Sequence, residues 1–416
     1  MSKIKSIRAR QILDSRGNPT VEALVMLTDG VMARSSVPSG ASKGTYEVVD
    51  LHDGDKSKFA GLGVLRAVEN VNQIIASKLT GMDAFDQQKI DRTMIELDGT
   101  QNKSKLGANA ILAVSQAVVK AASHSSLLPT SLYIRQFLST KAVVKIPTPM
   151  FNVVEGGKHA AGFDIQEFLV IPATSKSYVE SLEIGVSIYH KLGQLLHDKG
   201  QSVLVGDEGG FSPTLSTNME GFSLVKEAID ATGLAFSLDV FMGVDAAANT
   251  FADGKTYKLK DKTTPYNDRD LVDFYKSLFE NFALIYIEDP FAEDDWDGWK
   301  LMFQTLGDKT TIVGDDLTTT NPYRLQLALD NKVINGIIIK PNQIGTITEA
   351  LAVVEIARYT GLKVIVSHRS GETMDTFIAD FAVGVGADYV KFGAPAHERV
   401  AKYNKLLEIE EEIKKI

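Results

Sequence analysis

Three acidic residues, Asp245, Glu288 and Asp315, follow short apolar runs of the kind that forms buried strands. If these runs are neighbouring strands of one sheet, the three carboxylates converge at its carboxyl edge. Converging carboxylates repel one another and usually need a cation, and oxygen donors alone favour Mg²⁺ or Mn²⁺. Any one of them could be an ordinary acid paired with lysine or arginine. The three together favour a metal site.

Two lysines, Lys340 and Lys391, end apolar runs in the same way. Low dielectric and neighbouring metal ions lower the pKa of an ammonium group, so Lys340 could act as a general base. Lys391 could neutralise a carboxylate of the substrate. The alternative for each lysine is an ion pair with an acid on the next strand.

Two further segments carry groups for acid catalysis and anion binding. Glu208 lies in the turn 206–210, whose glycines permit close approach of a substrate, and its carboxyl could donate a proton to a leaving hydroxyl. The alternative is a plain turn acid. The segment 368–371 joins His368 to Arg369 and Ser370, and the planar guanidinium suits a phosphate. A lone histidine is more often structural.

Together these groups indicate a metal-dependent enzyme with a lysine–glutamate acid–base pair and an anionic substrate. The natural reaction is removal of the weakly acidic proton next to a carboxylate, where a metal ion would stabilise the enediolate by charge neutralisation. Residues 37–44 and 155–160 form two glycine-containing loops, each a weak lid candidate by itself. The first is not a P-loop, because it lacks that motif's spacing.

The elements that must position these groups fall into two regions. Residues 4–13, 20–27 and 31–37 read as strands, and 62–79 and 105–123 as helices, which is typical of a small α+β domain. From about residue 147, apolar runs alternate with helical stretches, which favours a parallel sheet covered by helices. The runs are residues 203–206, 241–244, 284–287, 311–314, 337–339, 364–367 and 388–390. They predict a barrel, whose active site lies at the carboxyl ends of its strands.

The bulk composition sets limits on the class of protein. The chain has 416 residues, of which 44% are apolar and 23% charged, so a large core can form. Its net charge of −9 argues against a general nucleic-acid-binding protein but leaves a small anionic substrate open. The absence of cysteine excludes disulfides and thiolate metal sites. With no signal-like segment and no apolar run near ~20 residues, a cytoplasmic protein without a membrane span is expected.

Several longer motifs resemble the signatures of the enolase family. They are DSRGNPTVE at 14–22, SGAS at 39–42, KLGANA at 105–110, GDEGG at 206–210, IEDPF at 287–291, Lys340 with NQIGT at 342–346, and SHRSGET at 367–373. The resemblance covers almost the whole chain in order. It implies an α+β N-terminal domain (residues 1–140) and a TIM-like α/β barrel of the irregular ββαα(βα)₆ type (residues 141–416).

The resemblance also implies an activity, a metal and an assembly. The activity is that of a hydro-lyase that reversibly dehydrates 2-phosphoglycerate to phosphoenolpyruvate in glycolysis and gluconeogenesis. Asp245, Glu288 and Asp315 would hold a first Mg²⁺, and Ser39 in the lid would help hold a second, which arrives with the substrate. A lysine base with Mg²⁺ is the pattern of the wider enolase superfamily. Family members are commonly homodimers, and some are octamers.

The resemblance assigns the remaining roles residue by residue. Lys340 would be the base at C2, and Glu208 the acid at the C3 hydroxyl, with Glu167 beside it. Arg369 and Ser370 would bind the phosphate, Lys391 the carboxylate, and His159 and His368 would line the pocket.

The sequence departs from the family pattern near these residues. The departures are Lys43, Glu155, Pro341, Phe392 and a stretch at 394–399 that is one residue shorter. These departures leave open the alternative that the chain is an enolase-like relative with weak or no activity, which is kept as a binding or structural protein. A different superfamily enzyme acting on another carboxylate is a further alternative, against which Arg369 and Ser370 argue.

Overall fold

The N-terminal region begins with a three-stranded antiparallel sheet of order β1-β2-β3. The computed structural model describes residues 2–41, 44–139, 144–160 and 162–415. The strands are β1 (Ile4–Leu13), β2 (Pro19–Leu27) and β3 (Met32–Ser36). The Asp14 side chain closes the first turn by accepting from the backbone N–H groups of Arg16 (2.9 Å) and Asn18 (2.8 Å). The predicted meander is confirmed.

Helices follow this sheet and pack on it. They are α1 (Leu65–Glu69), α2 (Ala76–Leu79), α3 (Gln87–Asp98), α4 (Ala108–Ser125) and α5 (Thr130–Arg135). The helix predicted over 62–79 is present, with a π-helical turn at Asn70–Ile75 between α1 and α2. Helix α4 begins only after Gly107, whose φ of +96° is not helical. Apolar on most faces, α4 is buried along nearly its whole length and contacts β2 and β3.

The C-terminal region is a closed barrel of strand order β10-β11-β12-β13-β4-β5-β6-β9. Its strands are β4 (Thr148–Glu155), β5 (Glu167–Pro172), β6 (Val240–Asp245), β9 (Leu284–Glu288), β10 (Thr311–Gly314), β11 (Gly336–Ile339), β12 (Lys363–Ser367) and β13 (Tyr389–Lys391). Strand β5 runs antiparallel to both β4 and β6, and the other barrel pairs are parallel. The expectation of a purely parallel sheet is therefore wrong at β5, whereas the irregular barrel implied by the family resemblance is confirmed.

Helices surround the barrel. They are α6 (Tyr178–Asp198), α7 (Asn218–Asp230), α8 (Asp268–Phe282), α9 (Trp296–Leu306), α10 (Pro322–Asn331), α11 (Pro341–Ile344), α12 (Ile347–Tyr359), α13 (Phe377–Gly384) and α14 (Val400–Lys414). A two-stranded ribbon, β7 (Ala252–Asp253) and β8 (Thr256–Tyr257), lies between β6 and α8. Within the described ranges, no helix has both the length and the apolar character needed to cross a membrane.

The run at 203–206 is not a barrel strand, which corrects one sequence prediction. It is a loop whose only strand-like contact is an isolated bridge between Val205 and Phe211, and Val203 and Leu204 are 47% and 76% exposed. The barrel is closed instead by β4 and β5, both almost fully buried. The boundary expected between residues 140 and 141 lies in a segment outside the described residues.

One buried acid outside the barrel mouth gives a stability prediction. Burial raises the pKa of Asp380 on α13 to about 7. Because this lies above the unfolded value, the folded state keeps the proton more tightly, and stability is lost as pH rises from about 4 to 7. Asp380→Asn removes this titration. The difference in free energy of unfolding between the variant and the parent, measured by urea unfolding, should therefore favour the variant by roughly 2 kcal/mol more at pH 8 than at pH 5. The exposed Asp330→Asn serves as control, and an equal gain at both pH values would contradict the prediction.

Candidate active site

Strand alternation explains why the candidate residues meet inside the barrel mouth. Ile338 of β11 packs in the barrel interior, whereas Ile337 and Ile339 belong to the outer core. Lys340 comes two residues after Ile338 and therefore shares its inward direction. On five other strands, a candidate residue is likewise two residues from an inward-facing one. The pairs are Gly243 and Asp245, Tyr286 and Glu288, Val313 and Asp315, Tyr389 and Lys391, and, on the antiparallel strand β5, Leu169 and Glu167.

Lys391 is the centre of an acidic cluster. It is 1% exposed, and its Nζ lies 2.9 Å from Oδ2 of Asp245, 2.8 Å from both carboxylate oxygens of Glu288 and 3.2 Å from Oε1 of Glu167. Burial lowers the pKa of Lys391, but these acids outweigh burial and hold the pKa well above its usual value. The ion pair left open as an alternative is therefore formed. A role toward a substrate carboxylate stays a prediction.

Lys340 is held between a hydroxyl and a carboxylate at the end of β11. Its backbone N–H donates to Oγ1 of Thr320 (2.9 Å), and its Nζ pairs with Oδ2 of Asp315. The other oxygen of Asp315 accepts from Nε2 of Gln343 at 2.9 Å. Pro341 begins the short helix α11, at a position where proline is favoured.

The expected lowering of the Lys340 pKa is not found. Burial does lower the pKa of this ammonium, but the charge of Asp315 outweighs burial, so the pKa is raised. The alternative, an ion pair with an acid on the next strand, is the arrangement found, with Asp315 as that acid. Lys340 is therefore a protonated partner of Asp315 in this arrangement.

Glu208 lies opposite, in the turn 206–210, and is 3% exposed. Its Oε2 lies 2.9 Å from Nε2 of His368 and accepts from Nδ2 of Asn152 at 3.3 Å, and its Oε1 lies 3.7 Å from Nδ1 of His159. Burial raises the pKa of Glu208, but His368 and His159 outweigh burial and hold the pKa well below the usual value. Glu208 is thus an ionised acceptor here, and it must receive a proton before it can act as an acid.

Three buried polar atoms close to Glu208 lack a hydrogen-bond partner in the protein. They are Oδ1 of Asn152, Nδ1 of His159 and Oε2 of Glu167, and the three residues are 0%, 7% and 2% exposed. Burial raises the pKa of Glu167 well above its usual value. Because buried polar groups are nearly always hydrogen-bonded, such atoms mark a place where ligand atoms fit.

Arg369 and Ser370, the predicted phosphate group, lie beneath the N-terminal region. Arg369 donates from Nη1 to Oε2 of Glu47 (2.8 Å) and from Nη2 to Oε1 of the same carboxylate (3.1 Å). Oγ of Ser370 accepts from the backbone N–H of Ala41 at 2.6 Å. The first glycine loop therefore reaches the predicted phosphate group.

Ser39 ties that loop to the barrel. Its backbone N–H and C=O pair with those of Gly371, each at 2.8 Å, and its hydroxyl donates to Oδ2 of Asp14 at 2.9 Å. An added Cβ on Gly371 would lie 2.4 Å from Asp14, so this approach requires glycine. Lys43, one of the departures from the family pattern, lies outside the described residues.

Glu155, a second departure, supports the Glu208 turn from below. It is fully buried, and its carboxylate oxygens accept from the backbone N–H groups of Glu208 (3.2 Å) and Gly210 (2.5 Å). Burial, followed by the nearby charge of Glu208, raises its pKa well above the usual value. Phe392, a third departure, is buried beside Tyr403, with ring centroids 6.0 Å apart.

The charge balance of the mouth fits a divalent cation. When the carboxylates of Glu167, Asp245, Glu288 and Asp315 are all ionised, a state that a bound cation would favour, their four negative charges exceed the two positive charges of Lys340 and Lys391 by two. Burial and the neighbouring Asp245 raise the pKa of Glu288 to about 8. With oxygen donors alone on the acids, the fitting ion is a hard one such as Mg²⁺.

Carboxylate and imidazole atoms also form two compact groups. Among the described residues, these are His159 with Glu167 and Glu208, and Asp289 with Asp315 and Asp316, and the ligand atoms in each lie within 4.8 Å of one another. The three metal ligands predicted from the sequence are less compact. Lys391 lies between Asp245 and Glu288, and Asp315 pairs with Lys340. Asp289 accepts from the backbone N–H groups of Asp315 (3.0 Å) and Asp316 (2.7 Å) and so fixes the end of β10.

Both regions of the chain match models of one protein family. Residues 4–134 match the enolase N-terminal domain, and residues 143–416 match the enolase C-terminal TIM barrel domain. The chain belongs to the enolase family. Membership places it with a family of lyases that typically use Mg²⁺, and supports an enolase or enolase-superfamily function.

Sequence reasoning missed several residues of this enolase-family site. Glu47 neutralises Arg369, Gln343 holds Asp315, Asn152 contacts Glu208, and Arg399 contacts His368. Asn152 had a usable signal, because it lies two residues after the interior residue Met150 on β4. The other three lie outside the strands; Gln343 belongs to the quoted motif at 342–346 and Arg399 to the shortened stretch at 394–399, but neither was given a role, and no local pattern marks Glu47.

Proposed function

We propose that this chain is a Mg²⁺-dependent hydro-lyase that interconverts 2-phosphoglycerate and phosphoenolpyruvate. The observation that carries the proposal is one barrel mouth with a buried lysine, an acidic cluster of excess negative charge, and the pair Arg369–Ser370. A lysine and a carboxylate on different elements suit removal of a proton and loss of a hydroxyl on adjacent carbons. A cytoplasmic homo-oligomer and a small-molecule substrate are part of the same proposal.

Asp245, Glu288 and Asp315 are the residues proposed to hold the first Mg²⁺, and Ser39 is proposed to contribute to a second. Bound there, the ions would neutralise the substrate carboxylate and the negative charge that develops on it. The lysines that now contact these acids must then find other partners. Lys391 would turn its ammonium to the substrate carboxylate.

The two proton transfers are assigned to Lys340 and Glu208. Lys340, in its neutral form, takes the proton from C2, which leaves an enediolate. In a second step, the electron pair of the enediolate forms the C2–C3 double bond as the C3–O bond breaks. Glu208, in its protonated form, gives its proton to the departing hydroxyl, which leaves as water. The free protein holds the opposite protonation states, with Lys340 charged and Glu208 ionised, which suits the reverse addition of water.

The phosphate would bind where Glu47 now pairs with Arg369. Guanidinium forks match phosphate oxygens as well as carboxylate oxygens, so the phosphate competes with Glu47 or shares the fork. Oγ of Ser370, held by the N–H of Ala41, adds a polar contact at the same place. His159 and Glu167, with their unpartnered atoms, face the C3 hydroxyl in this proposal.

Formation of phosphoenolpyruvate tests the proposed function directly. Purified protein is mixed with 2-phosphoglycerate and Mg²⁺, and the ultraviolet absorbance of the enol product is followed with and without a chelator. Mg²⁺-dependent absorbance growth supports the proposal. Absence of turnover by folded, Mg²⁺-loaded protein would favour the alternative of a non-catalytic relative.

The phosphate assignment predicts a specific change in substrate affinity. Arg369→Lys keeps a positive charge for Glu47 but loses the planar fork, so we expect KM for 2-phosphoglycerate to rise roughly 10-fold, with a smaller change in kcat. Competitive inhibition by inorganic phosphate should weaken in parallel. An unchanged KM and unchanged phosphate inhibition would remove Arg369 from the phosphate site. The matched control is Arg358→Lys, since Arg358 pairs with Asp388 at 2.8 Å rather than with a site residue.

A further inference from the structure

Arg399, directly before α14, contacts two segments of the candidate site from behind. It is fully buried. Its Nη1 lies 3.0 Å from Nδ1 of His368 and donates to the carbonyl of Arg369 at 2.7 Å. Its Nη2 donates to the carbonyls of Asp207 (2.7 Å) and Ser370 (2.6 Å). One guanidinium thus joins the turn that carries Glu208 to the segment that carries the predicted phosphate group.

The contact with His368 determines which ring nitrogen bears the proton. A guanidinium has only donors, so Nδ1 of His368 must offer its lone pair. In a neutral imidazole the proton is then on Nε2, which lies 2.9 Å from Oε2 of Glu208 and donates to it. The opposite tautomer would set two donors against each other at Nδ1 and leave Glu208 without this hydrogen bond.

We propose that Arg399 is a positioning residue that locks His368 in the Nε2–H tautomer and holds the Glu208 turn and the Arg369–Ser370 segment in one arrangement. Arg399 touches no substrate atom in this proposal and acts through His368 and the three carbonyls. Its effect on turnover rests on the proposed function, whereas the tautomer follows from the contacts alone.

Packing around Arg399 supports a built arrangement. Gly393 lies between its partners, and a Cβ there would come within 2.8 Å of Cε1 of His368, 2.7 Å of the Glu208 carbonyl and 3.3 Å of Cγ of Arg399. The backbone N–H of Ala394 donates to the same Glu208 carbonyl at 3.0 Å. The segment 394–399, which is shorter than the family pattern, therefore touches the acid turn at both its ends.

A purely structural role is the competing explanation. Nε of Arg399 lies 2.8 Å from Oε1 of Glu398, so an ion pair within the segment also stabilises the guanidinium. That pair involves only Nε, and both terminal nitrogens contact the site segments. A structural role predicts loss of stability without a change in the tautomer of His368.

The tautomer is measured first on the unaltered protein. Nitrogen-15 NMR of ring-labelled protein reports the protonation of each imidazole nitrogen, and the His368 signals are assigned by their loss in His368→Gln. We expect an unprotonated Nδ1 and a protonated Nε2. A protonated Nδ1 would overturn the proposal, and this outcome does not depend on catalytic activity.

Arg399→Lys then tests the effect on turnover. A lysine can reach only part of the acceptor set, so we expect kcat to fall about 100-fold, since small misplacements of reacting groups have effects of that size. KM should rise several-fold, and His368 should show a mixture of tautomers. Arg358→Lys is the control, because Arg358 bonds Asp388 and the Gly386 carbonyl and contacts no residue of the candidate site, and this variant should keep all three values.

Three results decide between the explanations. A folded Arg399→Lys variant with parental kcat, KM and tautomer would overturn the proposal. A double variant with His368→Asn should lose less than the product of the two single effects, because both act through one contact. If the unaltered protein does not turn over 2-phosphoglycerate, the proposed function fails, and the nitrogen-15 spectrum still decides the role of Arg399.

Discussion

Lys340→Ala should reduce formation of phosphoenolpyruvate by about 10²- to 10⁴-fold, because general-base catalysis contributes on that order. Loss of the amine removes the proposed acceptor of the C2 proton, and the neighbouring Thr320 cannot replace it as a base. The contact between Asp315 and the ammonium also disappears, so Mg²⁺ binding should be kept or strengthened. Steady-state absorbance assays at saturating Mg²⁺ measure the loss, and calorimetry with Mg²⁺ measures the affinity.

Lys363→Ala is the matched control for this experiment. Lys363 begins β12 at the opposite end of the barrel and is exposed, so its loss should leave turnover unchanged. Retention of more than a tenth of the parental kcat by folded Lys340→Ala would exclude Lys340 as the base. A large loss in both variants would point to a general effect on the barrel.

Glu288→Gln is expected to have the second largest effect, through the metal site. Glu288 is fully buried, and its carboxylate contacts Lys391 and the Tyr286 hydroxyl. The amide keeps the volume but removes the negative charge that a cation needs. Because even residues that only orient metal ligands change affinity 10- to 100-fold, we expect Mg²⁺ affinity to fall by about 100-fold or more. Turnover should fall with it at Mg²⁺ concentrations that saturate the parent.

The measurement is a calorimetric titration with Mg²⁺ alone, followed by a Mg²⁺ dependence of the rate. Glu280→Gln is the control, since Glu280 lies on the outer helix α8 with its side chain 61% exposed. Partial recovery of the rate at high Mg²⁺ would agree with a weakened site. Parental Mg²⁺ affinity in Glu288→Gln would remove this residue from the metal set.

Much of the barrel was predictable, because buried parallel strands have a strong local signal. Runs such as 311–314 and 337–339 are β-branched and apolar, and they became β10 and β11. The run 203–206 carries the same signal but forms a loop, since the barrel closes through β4 and β5 instead. Local composition does not indicate which strands complete a closed barrel, because closure depends on pairing between distant segments.

The direction of the site residues was also predictable. Because side chains two residues apart on a strand point to the same face, Asp315 points inward like Val313, and Lys340 points inward like Ile338. The electrostatics stayed open between two alternatives for each lysine, because the sequence does not show which contacts form across strands. Asp315 raises the pKa of Lys340 from the neighbouring strand end, and that contact reverses the expected sign.

Residues that hold the site from outside the barrel were beyond the reach of sequence. Glu47 meets Arg369 across 322 positions of the chain, and Arg399 meets His368 through a 3_10 turn with no apolar period. Each contact depends on how the N-terminal region and the last helix lie over the mouth. These contacts can therefore be seen only in the three-dimensional structure.

Exchange of the C2 proton of 2-phosphoglycerate with solvent deuterium tests most directly whether Lys340 removes that proton. In deuterium oxide with Mg²⁺, the parent should both exchange C2 and form product, and Glu208→Gln should exchange C2 while releasing product at least about 100-fold more slowly. Lys340→Ala should do neither. Exchange at C2 by folded Lys340→Ala at the parental rate, or its absence in the Mg²⁺-loaded parent, would contradict the account.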